Sequence, residues 1–352
     1  MCVAALSACG PDTPAVSGAS RAIIDGKSCS RYTHPAAVAL IMDAQVRHKS
    51  EPATGTKYPM RSVICSGTLI APDTVLTAAH CIGLSEMLHP DYRVSDESYH
   101  VSFDDDLTNL ASPGPSHIVG DGGLPLLPGD SLEARYVVPH PDFKMNDISG
   151  QSDLGKIPDI GLVFLKRPKW GVTPAALIST AEVAQIVKGA AVRVVGWGMT
   201  SATDSSAFAR KMCADSVVNE VGTYAMQIGT DASKPRKCNG DSGGPTFLSV
   251  KASTVDASRV IGVTSRSHYT EKLNCTKGTI DTRVDTYRAW IDATMKAGCA
   301  SGGRRVWCDV PGVPQPDTDF GDGGGCSVAG RRGPVAWTVL LLILAWIRSR
   351  KS

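Results

Sequence analysis

The sequence predicts an all-β fold, and three observations favour that class. The chain of 352 residues holds 35 glycines and 22 prolines but only 6% aromatic residues, a balance typical of many turns and short strands. Short apolar runs bounded by turn residues recur from residue 23 to about residue 284. A single amphipathic helix is indicated after these runs, and we expect it to pack on the outside of a barrel.

Each apolar run has the length of one strand. The runs that we expect to be strands of a barrel or a sandwich are residues 36–42, 63–70, 161–165, 191–196 and 260–264. Two long stretches between them, residues 85–131 and 146–157, are rich in Gly, Pro, Asp and Ser, which predicts surface insertions. The helix is predicted at residues 285–296, where the apolar residues on one face are Tyr287, Trp290, Ile291 and Met295.

Composition and charge exclude several classes of protein. Hydrophobic residues make up 42% and charged residues 20%, which is typical of a chain that folds around a core. The net charge is only +2, so no overall field attracts nucleic acid. No zinc spacing, phosphate loop or dinucleotide fingerprint occurs, so we expect neither a metal nor a cofactor. Eleven cysteines without a C-x-x-C pair favour disulfide bonds in an exported protein.

The first 22 residues are predicted to be an export segment followed by a pro-segment. The apolar run that ends at Cys9 resembles the lipobox of bacterial lipoproteins, but it lacks the basic start and the length that export needs. Lipidation of Cys9 and an accidental match therefore both stay open. Residues 11–22 are rich in Pro, Ser, Ala and Gly, which predicts the pro-segment.

The chain after residue 298 divides into a stalk and a tail. Residues 299–325 are expected to form a small cysteine loop and a flexible stalk rich in Gly, Pro and Asp. Residues 326–352 begin with Cys326 and continue through two arginines and an uncharged run to a basic end. This order resembles the C-terminal sorting tail of myxobacterial surface proteins, which implies processing near Cys326 and a tether to the membrane at the outer surface. As a helix the run would reach about 22 Å, short of a hydrocarbon core of roughly 30 Å, and the alternative is a simple membrane anchor.

Three distant segments hold the residue types of a nucleophilic catalyst. They are LTAAHC, which contains His80, DIGL, which begins at Asp159, and CNGDSGGP, which contains Ser242. A serine hydroxyl needs a base within hydrogen-bond reach, and that imidazole needs a buried carboxylate to fix its tautomer. Glycines beside the serine let the N–H groups of Gly240 and Ser242 turn toward an oxyanion. Taken singly, the serine is also compatible with a turn and the histidine with a core position. Two other acids lie close upstream of the DIGL segment, namely Asp147 and Asp153.

Taken together, the three segments resemble the signatures of the trypsin/chymotrypsin-like serine proteases, and the resemblance extends over residues 23–297. It implies two perpendicular antiparallel β-barrels with the catalytic groups at their junction and a C-terminal helix, in a domain that we place at residues 23–298. It implies an endopeptidase in which Ser242 is the nucleophile, His80 the general base and Asp159 the carboxylate that orients the base. The expected partner is a protein or peptide substrate, and we expect a monomer.

The resemblance also implies disulfide bonds. The expected pairs are Cys65 with Cys81, Cys29 with Cys213 and Cys238 with Cys275, and the remaining Cys299 and Cys308 would close a small loop after the helix. Three cysteines are left over. They lie in the segments assigned to export or sorting, at Cys2, Cys9 and Cys326.

The sequence RAIIDG at residues 21–26 resembles the mature N-terminus of the family. Cleavage before Ile23 would free an ammonium group, and the resemblance pairs that group with the buried carboxylate of Asp241. Ala22 rather than Arg21 precedes Ile23, so we expect a separate activating protease.

Substrate specificity is where the chain departs from the family. Arg236 stands six residues before Ser242, where members that cut after Lys or Arg carry an acid, and Arg266 stands where the family has an aromatic wall. Together with Lys237, these positive charges would favour a substrate Asp or Glu. In the alternative, Arg236 points to solvent or pairs with a nearby acid such as Asp231 or Asp281.

Four further residues are expected to line the pocket. Ser265 and the backbone around Ser267 would bind the substrate strand by β-pairing. Gly278 and Thr279 lie where the family has the rim of the pocket, and we expect them to fill it in part.

The sequence therefore predicts an exported serine endopeptidase, made as a precursor and tethered at the outer surface. The alternative is a tethered binding protein that kept the barrels and lost turnover because Arg236 and Arg266 reject substrates.

Overall fold

The structure is a computed structural model, which describes residues 23–24, 26–83, 92–110, 124–148, 153–199, 209–229, 235–252, 255–268 and 277–300. The segments predicted for export and sorting lie outside these residues, as do the predicted loop and stalk except for residues 299–300, which end the C-terminal helix. Cys9, Cys275, Cys308 and Cys326 therefore lie outside the described residues. In the described part of the chain, no helix combines the length and the apolar character needed to cross a bilayer.

The first half of the described chain forms one closed barrel. A short strand, β1, precedes it at Lys27–Ser28, and the barrel strands are β2 (Ala37–His48), β3 (Tyr58–Ala71), β4 (Thr74–Thr77), β5 (Tyr92–Ser102), β6 (Ser131–Pro139) and β7 (Gly161–Leu165). Within the described residues they close antiparallel in the order β2-β3-β4-β7-β6-β5. Closure leaves no edge strand free to pair with another chain.

The second half forms another antiparallel barrel. Its strands are β8 (Ala191–Gly196), β9 (Met212–Val221), β10 (Ala225–Ile228), β11 (Pro245–Ala252), β12 (Val255–Ser267) and β13 (Thr279–Arg283). They run in the order β8-β9-β10-β13-β12-β11, β11 pairs back with β8, and β1 adds to β9. The helix α1 (Arg288–Ala300) follows. The prediction of an all-β fold with two barrels and a C-terminal helix is confirmed.

Strand β8 shows why these sequences form barrel strands. Val192 and Val194 alternate with Arg193, so the two valines point into the apolar interior of the second barrel and the arginine points outward. Across the sheet, Arg193 faces Asp215 of β9, and the two side chains form an ion pair with Nη1 2.9 Å from Oδ1. The alternation and the cross-strand charge pair therefore favour the same register.

One predicted surface insertion is wrong in part. Residues 92–102 of the stretch at 85–131 are strand β5, which pairs along most of β2. Tyr99 and Val101 are buried, and Phe103 extends the same face into the core. Their alternation with polar residues is a strand pattern, which the high overall polarity of the stretch conceals.

The helix begins three residues later than predicted and continues to Ala300. The backbone explains the shift, because the N–H of Arg288 bonds the carbonyl of Asp285 at 3.3 Å in a turn that precedes the helix. The carboxylate of Asp285 pairs with Arg283 at 2.7 Å. Tyr287 and Trp290 pack against the ring of His140, so the helix is held on the first barrel.

The core continues from the first barrel to the second. The largest apolar cluster joins first-barrel residues such as Leu76 and Leu162 with second-barrel residues such as Trp197 and Phe247. The ends of β4 and β8 and the loop before β11 meet at this junction, and the candidate site lies there.

Candidate active site

His80 is held in a short 3-10 turn, Ala79–Ile82, directly after β4. Its side chain is almost fully buried, and Nδ1 lies 2.7 Å from Oδ2 of Asp159. The backbone N–H of the same histidine donates to Oδ1 of Asp159 at 2.9 Å. Because the carboxylate accepts from Nδ1, the neutral imidazole carries its proton there and leaves Nε2 as the acceptor.

Asp159 is fully buried just before β7. Its carboxylate also accepts a hydrogen bond from the Ser265 hydroxyl at 2.6 Å, and its carbonyl accepts one from the Thr282 hydroxyl at 3.0 Å. Burial alone would raise the pKa of Asp159, but the charge and hydrogen bonds of His80 and the bond from Ser265 hold that pKa below its ordinary value. The group is therefore a charged carboxylate at neutral pH.

The two competing carboxylates have other surroundings. Asp147 lies in a 3-10 turn, and Asp153 accepts the N–H of Gly155 at 3.2 Å. Among the residues that the structure describes, Asp159 is the acid that contacts His80.

Ser242 lies in a loop of the second barrel that packs against the end of β4. Its carbonyl accepts the N–H of Ser66 at 2.7 Å, and the next residue, Gly243, donates to the carbonyl of Thr264 at 2.8 Å. A side chain on Gly243 would meet Thr77 Oγ1 at 2.1 Å, and φ of Gly243 is +76°. Only glycine allows this close packing against the end of β4, so the serine loop lies directly beside the turn that holds His80.

Asp241 anchors the same loop in the interior. Its carboxylate accepts the N–H of Gly198 at 2.9 Å and the N–H of Cys238 at 2.8 Å. Burial raises the pKa of Asp241 to about 7, against the effects of these two N–H groups and of the Lys237 charge, which all favour the ionised form. The proton equilibrium of this buried carboxyl is therefore balanced near neutrality.

Ile23, the expected first residue of the mature chain, is fully buried in the core of the second barrel. The carbonyl of Ile24 accepts the backbone N–H of Arg236 at 3.1 Å, so this segment is tied to the chain that precedes the serine loop.

Two of the three basic residues predicted for the pocket, Arg236 and Lys237, are buried. Arg236 is 5% exposed, which excludes the alternative that it points to solvent. Lys237 has its Nζ 2.7 Å from Oδ2 of Asp281 and 2.5 Å from the Thr264 hydroxyl. The Lys237 charge is therefore balanced inside the barrel rather than open to a substrate.

The sequence suggests Asp281 only as a possible partner of Arg236, whereas the structure pairs it with Lys237. Its carboxylate also accepts the hydroxyls of Thr246 at 2.6 Å and Thr279 at 3.3 Å. The sequence does contain a signal for this ion pair. Asp281 stands in a strand whose other residues are mostly buried, and a charge buried there requires a partner.

The strand expected to bind substrate contains a β-bulge. The register of β12 against β13 shifts between Thr264 and Arg266, which frees Ser265 from the ladder and turns its hydroxyl to Asp159. Arg266 is half-buried, and its Nη2 donates to the carbonyl of Asp153 at 2.7 Å. Ser267 stands opposite Thr279.

Gly278 lies one residue before β13, at the expected rim of the pocket. Its φ is +75°, and an added Cβ would lie 2.1 Å from the carbonyl oxygen of Ile228. Backbone packing therefore requires glycine at this position.

The structure contains two of the expected disulfide bonds. Cys29–Cys213 joins the segment after Ile23 to β9 with Cα atoms 5.6 Å apart, and Cys65–Cys81 joins β3 to the His80 turn with Cα atoms 6.1 Å apart. Cys238 is also disulfide-bonded. The ligand atoms of Cys65, His80 and Cys81 lie within 4.8 Å of one another, but the disulfide bond removes both thiolates that a metal would need.

The class of the protein follows from where the serine loop lies. It comes from the second barrel and packs against Thr77 and Ala78 of the first barrel, directly before the turn that holds His80, and such a junction is typical of serine hydrolases built on two β-barrels. A sequence model described as Trypsin matches residues 23–110 and 119–291. The chain belongs to the trypsin family, and it is a serine endopeptidase that acts on protein substrates.

Curated relatives are distant but extend over most of the same region. Chymotrypsin-like elastase family member 1 of Canis lupus familiaris is 26% identical over 249 residues, which is 65% of this chain and 80% of the dog protein. Vitellin-degrading protease of Bombyx mori is 25% identical over 66% of this chain and 76% of its own length. Mast cell protease 3 of Ovis aries is 25% identical over 68% of this chain and 81% of its own length.

Proposed function

We propose that the protein cuts peptide bonds through an acyl-enzyme, with Ser242 as the nucleophile, His80 as the general base and Asp159 as the carboxylate that orients His80. The observation that carries the proposal is that both oxygens of the Asp159 carboxylate bond the same histidine. Ser242 passes its proton to Nε2 of His80 as it attacks the substrate carbonyl, and His80 then gives that proton to the leaving amine. Water then releases the acyl group in a second round of proton transfer. His80 takes a proton from the attacking water and returns it to the oxygen of Ser242.

The proposed oxyanion donors are the backbone N–H groups of Gly240 and Ser242. The loop that carries them is anchored at Asp241 by two backbone N–H groups. Fixed donors of this kind stabilise the tetrahedral intermediate without reorganising during the reaction.

The protein is made as a precursor and activated by cleavage before Ile23. Support comes from the burial of Ile23 in the second barrel and from the raised pKa of Asp241. A new ammonium group at Ile23 would supply a countercharge to Asp241, whose ionised form burial otherwise disfavours. Because Ala22 precedes the cut, a separate protease with a preference other than Lys or Arg performs it.

The pocket favours an acidic substrate residue before the scissile bond. With Lys237 paired to Asp281, this preference depends on the buried Arg236 and the half-buried Arg266. A buried guanidinium near the pocket would repel a substrate Lys or Arg and attract Asp or Glu.

The protein is exported and held at the outer surface by residues 326–352. The disulfide bonds support export, because such bonds form and persist in oxidising compartments. The tether itself rests on the sequence of the tail, with its uncharged run between arginines.

A fluorophosphonate probe, which reacts with activated serine hydroxyls, tests the proposed nucleophile. The probe should label protein whose cleavage before Ile23 has been verified by mass spectrometry, and labelling should vanish in Ser242→Ala. The matched control is Ser249→Ala, which changes an exposed serine on β11 and should label like the wild type. Labelling that persists in Ser242→Ala, or its absence from the correctly cleaved wild type, would overturn the proposal.

A further inference from the structure

Ser66, a fully buried residue of β3 in the first barrel, contacts both sides of the serine loop. Its N–H donates to the carbonyl of Ser242 at 2.7 Å, and its hydroxyl donates to the carbonyl of Gly240 at 3.2 Å. The same hydroxyl accepts the N–H of Trp197 at 3.1 Å. The Ser66 hydroxyl therefore both donates a hydrogen bond to the second barrel and accepts one from it.

The bond to Gly240 falls on the most adaptable part of the loop. Residues 238–241 form a turn closed by the N–H of Asp241 on the carbonyl of Cys238 at 3.0 Å, and Gly240 has φ +89°. A glycine with this φ in the third position defines a type II turn. Glycine leaves the backbone free to rotate, so the direction of the Gly240 N–H depends on what holds the neighbouring peptides.

Both neighbouring peptides are held from outside the turn. The carbonyl of Asn239 accepts the N–H of Met199 at 2.7 Å, which orients the peptide that contains the Gly240 N–H. The carbonyl of Gly240 is fixed by the Ser66 hydroxyl, as described above. Ser66 thus supplies, from the first barrel, the hydrogen bond that fixes the ψ angle of Gly240.

Ser66 also connects to the histidine side of the site. Its carbonyl accepts the Thr77 hydroxyl at 2.8 Å, at the end of β4 and three residues before His80. The contacts of this one residue therefore join the strand end that presents His80 to the loop that presents Gly240 and Ser242.

We propose that Ser66 is a positioning residue for the oxyanion hole, acting through the carbonyl of Gly240. This inference rests on the proposed roles of Ser242 and Gly240. Ser66→Ala removes the hydroxyl and leaves two backbone groups, the part-buried Gly240 carbonyl and the buried Trp197 N–H, without that partner. Gly240 then samples other orientations, so the effect falls on the transition state more than on the bound substrate.

The test uses the full chain cleaved before Ile23. Ser66→Ala should lower kcat about tenfold or more with little change in KM, and it should weaken a peptide aldehyde, which forms an oxyanion with Ser242, by a similar factor. Affinity for the matching peptide alcohol, which has no carbonyl group and forms no oxyanion, should stay unchanged. The matched control is Ser62→Ala, because Ser62 lies in the same strand and its hydroxyl donates to the adjacent Val63 carbonyl at 3.2 Å.

The outcomes separate this inference from the proposed function. Unchanged aldehyde affinity in folded Ser66→Ala, with labelling still lost in Ser242→Ala, overturns the positioning role alone. Fluorophosphonate labelling that persists in Ser242→Ala overturns the function on which it rests. If Ser66→Ala does not fold, Ser66→Thr should retain near wild-type kcat and Ser66→Cys should lose it, because a thiol is a weak donor. Equal kcat for the Thr and Cys variants contradicts the inference.

Discussion

Lys237 and Asp281 form an ion pair in the interior of the second barrel, with both side chains fully buried and Nζ 2.7 Å from Oδ2. Burial lowers the pKa of Lys237, and the Asp281 charge opposes that shift. The hydroxyls of Thr264 and Thr246 complete the hydrogen bonding around the pair. Two adjacent basic residues of the sequence therefore have different surroundings, and it is Lys237 whose charge Asp281 neutralises.

Breaking this buried pair should destabilise the fold strongly. Asp281→Asn leaves the Lys237 ammonium buried without a counterion, so we expect the free energy of unfolding to fall by about 3–5 kcal/mol. The double variant Lys237→Met with Asp281→Leu removes both charges and should be much closer to the wild type. Urea unfolding followed by circular dichroism measures both, and a single variant as stable as the wild type would show that the pair is not desolvated.

Removing the charge of Asp159 should reduce turnover without unfolding the protein. Asp159→Asn keeps the shape but no longer stabilises the required tautomer and the imidazolium, so we expect kcat to fall by about three to four powers of ten. Asp153→Asn is the control, because that side chain accepts the N–H of Gly155 rather than contacting His80. Comparable kcat values for the two variants would remove Asp159 from the mechanism.

Precursor and cleaved protein should respond differently to pH. In the uncut chain the pKa of Asp241 is raised from 3.8 to about 7, so the stability from this group is complete below about pH 4 and is lost as the pH rises through 7. Cleavage should lower the pKa of Asp241, because it supplies the ammonium group of Ile23. The loss of stability between about pH 4 and about pH 7 should then be smaller. Urea unfolding between pH 4.5 and about 8, in Ser242→Ala protein to prevent self-digestion, compares the two forms. Identical pH profiles for both forms would contradict the pairing of Ile23 with Asp241, and an uncut Asp241→Asn variant should lack the slope.

Arg236 should control the preference for acidic substrates. In a peptide library we expect cleavage after Glu or Asp, and Arg236→Ala should reduce the ratio of kcat/KM for Glu over Ala by about tenfold. The double variant Lys237→Met with Asp281→Leu should leave that ratio nearly unchanged, because the two charges that it removes cancel each other inside the barrel of the wild type. Preferred cleavage after Lys by the wild type would show that the pocket is not cationic.

Local patterns were sufficient for much of the fold. The apolar runs at β7 and β8 coincide with strands because a barrel interior selects short runs of valine, leucine and phenylalanine. Strand β5 was missed because its alternating residues lie in a stretch whose average composition is polar. The arrangement of two barrels came from the family resemblance, since register and closure depend on pairings between distant strands.

The residues of the candidate site likewise fall into two groups, those that a local motif predicts and those that only long-range packing defines. His80, Asp159 and Ser242 lie in motifs that carry their chemistry locally, so the sequence predicts all three, and the structure brings His80 and Asp159 into contact. Ser66 has no local signature, because its role arises from a hydrogen bond to a residue 174 positions away in the chain. Asp281 is marked locally only as a charge in a buried strand, and its partner lies 44 positions away. The sequence likewise grouped Lys237 with Arg236, although only packing decides which of two adjacent cations receives the buried carboxylate.

Trapping the acyl-enzyme shows directly whether Ser242 is the nucleophile. Protein cleaved before Ile23 is mixed with a p-nitrophenyl ester, quenched in acid within milliseconds and mapped by peptide mass spectrometry. We expect a burst of nitrophenol and one acyl group, located on Ser242. An acyl group on another residue, or hydrolysis without any acylated peptide, would contradict it.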